Sequence, residues 1–271
     1  MDICSRAVFS LSRVKKISTL IVATIFLASC SSKPPVSLVT PPKSTPTSPS
    51  KAQKLNEPVR GVWLATVSRL DWPPVASVNV SSATTRIAMQ KKALTDKLDN
   101  LQSLGINTVF FQVKPDGTAL WPSSILPWSD MLTGKIGENP GYDPLQFMLD
   151  EAHKRGMRVH AWFNPYRVST NVKPSTVNEL NRTVSLQPAS VFVLHRDWIR
   201  TAGERYVLDP GIPEARDWIT SIVAEVVKRY PVDGVQFDDY FYAESPGSAL
   251  NDSVTFQRYG QGFSSKADWR R

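Results

Sequence analysis

The chain has 271 residues, 41% of them hydrophobic, enough for one large domain with a buried core or for two small ones. Its formal charge of +8 invites a nucleic-acid reading. Placement argues against it: residues 1–30 carry +3 (Arg6, Arg13, Lys15 and Lys16 against Asp2), residues 31–57 carry +3 (Lys33, Lys43, Lys51 and Lys54 against Glu57), and residues 58–271 only +2, so no nucleic-acid partner is expected.

In chain order, Arg13, Lys15 and Lys16 form a basic start. Ile17 to Ala28 is an apolar run of about a dozen residues, short for a membrane span. Leu27-Ala28-Ser29-Cys30 closes it and resembles the bacterial lipoprotein box. The resemblance implies a signal peptide over residues 1–29, cleavage before Cys30, and acyl chains on its sulfur and amino group. Two or more chains anchor stably. The alternative is an ordinary signal peptide with an incidental Cys. The cysteine count favours the lipoprotein, since Cys4 leaves with the signal and Cys30 then has no disulfide partner. Ser31 after Cys30 resembles enterobacterial sorting to the outer membrane, which implies a bilayer partner and a periplasmic location. Residues 30–57 are rich in Pro, Ser, Thr and Lys and read as an extended tether without a core.

From residue 58 strands and helices alternate. Arg60 to Val67 reads as a buried strand. Ser81 and Ser82 can cap a helix running to about Leu104, with Leu94, Leu98, Leu101 and Leu104 on one face and Gly105 ending it. Ile106 to Val113 is a second strand, and residues 119–142 a long loop with Trp121, Trp128 and Tyr142. Asp143-Pro144 opens a helix that Gly156 ends. Met157 to Phe163 is a third strand. Residues 168–208 read as irregular, with a short helix near 188–202. Pro213 starts a helix with Ile219, Ile222, Val223, Val226 and Val227 on its apolar face and basic residues at its end. Pro231 to Gly234 is a turn, after which Val235, Gln236, Phe237 and Asp238 alternate as a fourth strand.

Four such units predict an α/β protein with a parallel sheet. A doubly wound sheet needs a Gly-rich phosphate loop after its first strand, and Val67 to Trp72 contains no Gly. Polar residues instead alternate toward the C-terminal ends of the later strands: His160, Trp162 and Asn164, then Gln236 and Asp238. That pattern suits the interior and mouth of a (β/α) barrel. Neither a metal-binding His-Glu-x-x-His, a Cys pair, nor a Gly-x-Ser-x-Gly elbow occurs, so no cofactor and no metal is expected.

Arg60-Gly61-Val62-Trp63, His160 to Arg167, Leu208-Asp209-Pro210-Gly211 and Asp233 to Tyr242, in that order, resemble the bacterial glycosyl hydrolase-like lipoprotein family over nearly all of residues 58–260. The resemblance extends to enterobacterial members that hydrolyse peptidoglycan glycan strands stripped of their peptides. It implies a (β/α)8 TIM-type barrel, glycosidase activity on cell-wall glycan, and a nucleophilic Asp at the lumenal end of strand four. Asp238 holds that place, with Asp239 as the alternate. About four strands are visible against eight implied, so residues 58–271 read as the N-terminal half of such a barrel and the chain as a truncated product, inactive alone.

Glycoside hydrolysis uses two carboxyl groups. The partner acid is left open, between a residue beyond Arg271 and, within the chain, Asp116, Asp209 or Glu244. Trp162, Asn164, Tyr166 and Arg167 are candidates to hold a sugar by stacking and hydrogen bonds. Arg167 suits the lactyl carboxylate of a muramic acid, or alternatively pairs Asp238 or Asp209. Gln112, Lys114, Asp209 and Tyr240 are further candidate substrate contacts at the mouth. His160 is either a donor beneath the site or a satisfied core residue; Trp121 and Trp128 are either sugar platforms or a local core. The competing function is a non-catalytic, glycan-binding lipoprotein on the same scaffold.

Overall fold

A computed structural model describes residues 57–238, 242 and 249–271. The signal-peptide, lipidation and tether expectations fall on residues outside that set, as do Asp239, Tyr240 and Glu244.

The first strand, β1 (Gly61–Leu64), leads through a 3-10 turn and the one-turn helix α1 (Val75–Val78) to α2 (Ala83–Ser103). Ser82 caps α2, its hydroxyl accepting from the Thr85 amide. Gly105 takes φ +74° just beyond it, where a side chain would be strained. Next come β2 (Thr108–Lys114), the one-turn α3 (Asp130–Thr133), α4 (Pro144–Lys154) and β3 (Arg158–Phe163). Asp143 caps α4 by accepting from the Gln146 amide, with Pro144 in its first turn.

The stretch after β3 departs from expectation. The short helix read near 188–202 is only α6 (Val191–Leu194), preceded by α5 (Pro174–Arg182). An antiparallel hairpin, β4 (Ile199–Ala202) with β5 (Arg205–Leu208), occupies the rest. Gly203, at φ +57°, turns between its strands. With Ile219 from the helix that follows, these elements gather a small core around Val168, Leu180, Val191, Phe192 and Leu208. The chain continues with α7 (Pro213–Arg229), β6 (Gly234–Phe237), α8 (Ser253–Tyr259) and α9 (Lys266–Trp269).

The main sheet has the order β1-β2-β3-β6, every neighbour parallel. With the hairpin set apart, this is chain order without reversal. A doubly wound sheet would reverse at a switch point; this one winds in a single direction, as the strands of a (β/α) barrel do. One face is dry. Leu64, Val109, Phe111, Val113, Val159, Ala161 and Phe163 meet Leu94 and Leu98 of α2, Leu145, Met148 and Leu149 of α4, and Ile222 and Val226 of α7. The alternate residues form the opposite, lumenal face, where Trp63 remains 54% exposed.

Candidate active site

The register stacks the lumenal residues in layers. Lowest lie Trp63, Phe110, His160 and Gly234, each paired with the next. Trp63 stacks on Phe110 at 4.5 Å, and His160 meets Phe110 edge-on at 5.0 Å. A Cβ on Gly234 would fall 2.5 Å from the His160 ring, so the imidazole lies where only glycine leaves room. Burial holds His160 below the ordinary imidazole range, against the pull of Asp233. Of its two expected roles, packing is the one this geometry favours.

The middle layer is Gln112, Trp162 and Gln236. The Gln112 side-chain oxygen Oε1 accepts from the Thr66 and Val67 backbone amides, at 2.9 and 2.8 Å, and stitches the loop after β1 to β2. Trp162 lines the cleft above, and its indole N–H has no hydrogen-bond partner among the described residues.

At the top, Asn164 Nδ2 donates to Asp238 Oδ2 at 2.8 Å. The Asn164 amide cannot be turned round, because its Oδ1 accepts from the Arg167 backbone N–H at 3.2 Å. Asp238 therefore faces the residues of the third strand end and is not folded back beneath a helix. Gln112, Trp162, Arg167 and Asp238 share a cleft of about 390 Å³ with Ser68 and with Arg205 of the hairpin. Asp238 is the one carboxylate among the described residues that line it.

Other sequence-derived candidates lie elsewhere. Lys114 is buried beneath the loop after β3 and does not line the cleft. Tyr166 lines a separate cavity of about 680 Å³ with Phe237, Tyr242 and Trp269. Asp209 is fully buried, paired with Arg200 at 3.1 Å, accepting from the Gly211 amide at 3.0 Å and from the Thr255 hydroxyl; it is a buried clamp with no open face for a sugar. Asp116 is buried, accepts from Thr118 at 2.6 Å, and opens on a small cavity of about 100 Å³ beside Asp130 and Glu179. Burial raises both aspartates, Asp130 to about 7. Trp121 is fully buried against Phe163 in the main core, which makes it core rather than platform.

Arg205, Ser68 and Asp130 are not found by sequence reasoning. The alternation flanking Gly203-Glu204 was a signal for the hairpin that delivers Arg205; Ser68, at φ +54°, and Asp130 carried none. No group of three or more His, Cys, Asp or Glu side chains among the described residues is arranged to hold a metal ion, and no described helix is long and apolar enough to cross a membrane.

The profile of the glycosyl hydrolase-like 10 family matches residues 58–271. A protein of Escherichia coli K12 named glycosyl hydrolase DigH is 69% identical over 271 residues, covering all of this chain and 61% of that one. Glycosyl hydrolase YngK of Bacillus subtilis is 42% identical over 215 residues, 79% of this chain and 39% of its own. The chain thus spans about three fifths of the length of the first of these relatives. Among solved structures, α-L-fucosidase isoenzyme 2 of Paenibacillus thiaminolyticus overlaps 66% of this chain and 24% of its own at 16% identity and a TM-score of 0.42, too partial a likeness to bear on function.

Proposed function

Because the chain belongs to the glycosyl hydrolase-like 10 family, we propose that Asp238 is the nucleophilic or charge-stabilising carboxylate of a glycoside hydrolase. The observation that carries this reading is its position: a carboxylate on the lumenal side of a strand's C-terminal end, oriented by Asn164 and opening on a cleft beside Trp162. One oxygen held by an amide N–H fixes the plane of the carboxylate before substrate arrives. Trp162 offers an aromatic face to a sugar. The second carboxyl group stands roughly 5–5.5 Å away for retention and farther for inversion. No second one lines the cleft among the described residues; the remaining candidates are Glu244, which lies outside those residues, and the part of the relatives' length that this chain does not span.

The substrate we propose is cell-wall glycan, the glycan strand of peptidoglycan. Arg167 and Arg205 at the cleft suit a sugar that carries a carboxylate. The lipoprotein-like start, with Cys30 as the acylated residue, would tether the protein to the outer membrane within reach of that polymer. That Asp238 is the one carboxylate lining the cleft among the described residues supports a second reading, a glycan-binding lipoprotein without turnover.

Asp238→Asn, made in a protein that carries the rest of the relatives' length, separates them. Under the first reading the variant loses cleavage of soluble glycan strands by on the order of a thousandfold or more, while glycan retention changes little. Equal turnover by both proteins removes the hydrolytic reading. Retention without turnover by either favours the binding protein.

A further inference from the structure

Lys114, expected at the mouth, is one of the largest fully buried side chains in the protein. Its Nζ donates to the carbonyls of Asn164 at 2.8 Å, Pro165 at 3.1 Å and Arg167 at 3.4 Å. Three carbonyls of one four-residue loop thus engage the three N–H bonds of an ammonium. A buried cation also requires opposite charge. Asp116, from the loop following its own strand, and Asp238, just past β6, supply it, while Arg167 opposes. Asn164 is the joint between cation and carboxylate. Its carbonyl is held by Lys114, its Oδ1 by the Arg167 amide, and its Nδ2 donates to Asp238.

We propose that Lys114 is a positioning residue, a buried cation that holds the loop after β3 and, through Asn164 and through its own charge, sets the orientation and ionisation of Asp238. Its meaning for catalysis rests on the reading of Asp238 given above. Burial presses the ammonium down to about 7, and the charges of Asp116 and Asp238 pull the other way. The pull is reciprocal: if ionised Asp238 favours protonated Lys114, protonated Lys114 favours ionised Asp238 to the same extent.

The test needs no turnover. Carboxyl 13C titration of the full chain, with the Asp238 signal assigned by its loss in Asp238→Asn, is compared between wild type and folded Lys114→Met. Asp238 is expected to titrate at a higher pH in Lys114→Met than in wild type, because the nearby positive charge that favours its ionised form is gone. A residue that only fills space and satisfies carbonyls would change stability and leave that curve in place, and coincident curves overturn the proposal. Should Lys114→Met not fold, the reciprocal arm decides. In Asp238→Asn the Lys114 side chain is expected to lose its proton at a lower pH than in wild type, and an unchanged Lys114 curve overturns the proposal. Coupling seen alongside full glycan cleavage by Asp238→Asn would support the pair while removing the hydrolytic reading. No coupling with cleavage lost would do the reverse.

Discussion

Glu225 carries more of the fold than its place on a helix suggests. The carboxylate accepts from Trp121 Nε1 at 2.8 Å, from the Ser123 hydroxyl at 2.5 Å, and from the Ser124 amide and hydroxyl, both at 2.7 Å. Burial works to raise its pKa, and those donors outweigh burial and hold it below the usual carboxylate range. The long loop after β2 is thereby latched to α7. Glu225→Gln replaces one acceptor oxygen with a donor facing donors, at an expected cost of about 1–3 kcal/mol. The urea midpoint should fall with its slope unchanged; an unmoved midpoint would contradict the latch. Nothing in the sequence marks Glu225, because its partners lie more than a hundred residues away in the chain. Asp238 is legible for the opposite reason. Alternation along one short strand and the strand's C-terminal end suffice to place it beside the residues of strand three.

At the scale of elements, capped helices and alternating strands were readable because their causes are local. Ser82 and Asp143 cap where the chain pattern requires, and Pro213 starts α7 with Lys228 and Arg229 in its last turn. The hairpin was misread because Val191 to Leu194 is helical and the ten residues from Ile199 follow closely; the turn at Gly203 separates the two behaviours. The terminal pair α8 and α9 is tied by charge. Asp252, buried at the start of α8, takes Lys266 at 2.9 Å and Arg270 at 2.7 Å. Burial alone would raise its carboxyl, but Arg270 and Lys266 hold it down to about 2 against an ordinary 3.8. A depressed carboxylate contributes stability above its unfolded pKa, and that contribution is lost as pH falls from about 4 through about 2. Amide exchange in α8 and α9 should accelerate across that window. Asp252→Asn should exchange faster already at neutral pH, by the equivalent of about 1–3 kcal/mol, and show a flatter acid response. Identical protection in the two proteins would exclude the clamp.

For the whole molecule, charge placement and the proposed anchor lead to one further expectation. If Cys30 is acylated, Cys30→Ser produced in an enterobacterial host should move from the outer-membrane fraction to the soluble fraction, because no acyl chains remain. Recovery of both forms with the membrane would contradict the anchor. Sequence alone determined the parallel α/β class and the single winding direction, through the absence of a Gly-rich first loop and the polar alternation at later strand ends. It also put Asp238, with Asp239 as the alternate, at the end of the fourth strand, and the structure places Asp238 there beside Asn164. These follow from near-neighbour sterics and the two-residue period of a strand. Only the tertiary structure decided that Lys114 lies under the site while Arg205 borders it, that Asp209 is a clamp, and that His160 packs over Gly234. Each depends on distant segments meeting, and on whether burial leaves a polar group another partner or none but its neighbour's backbone.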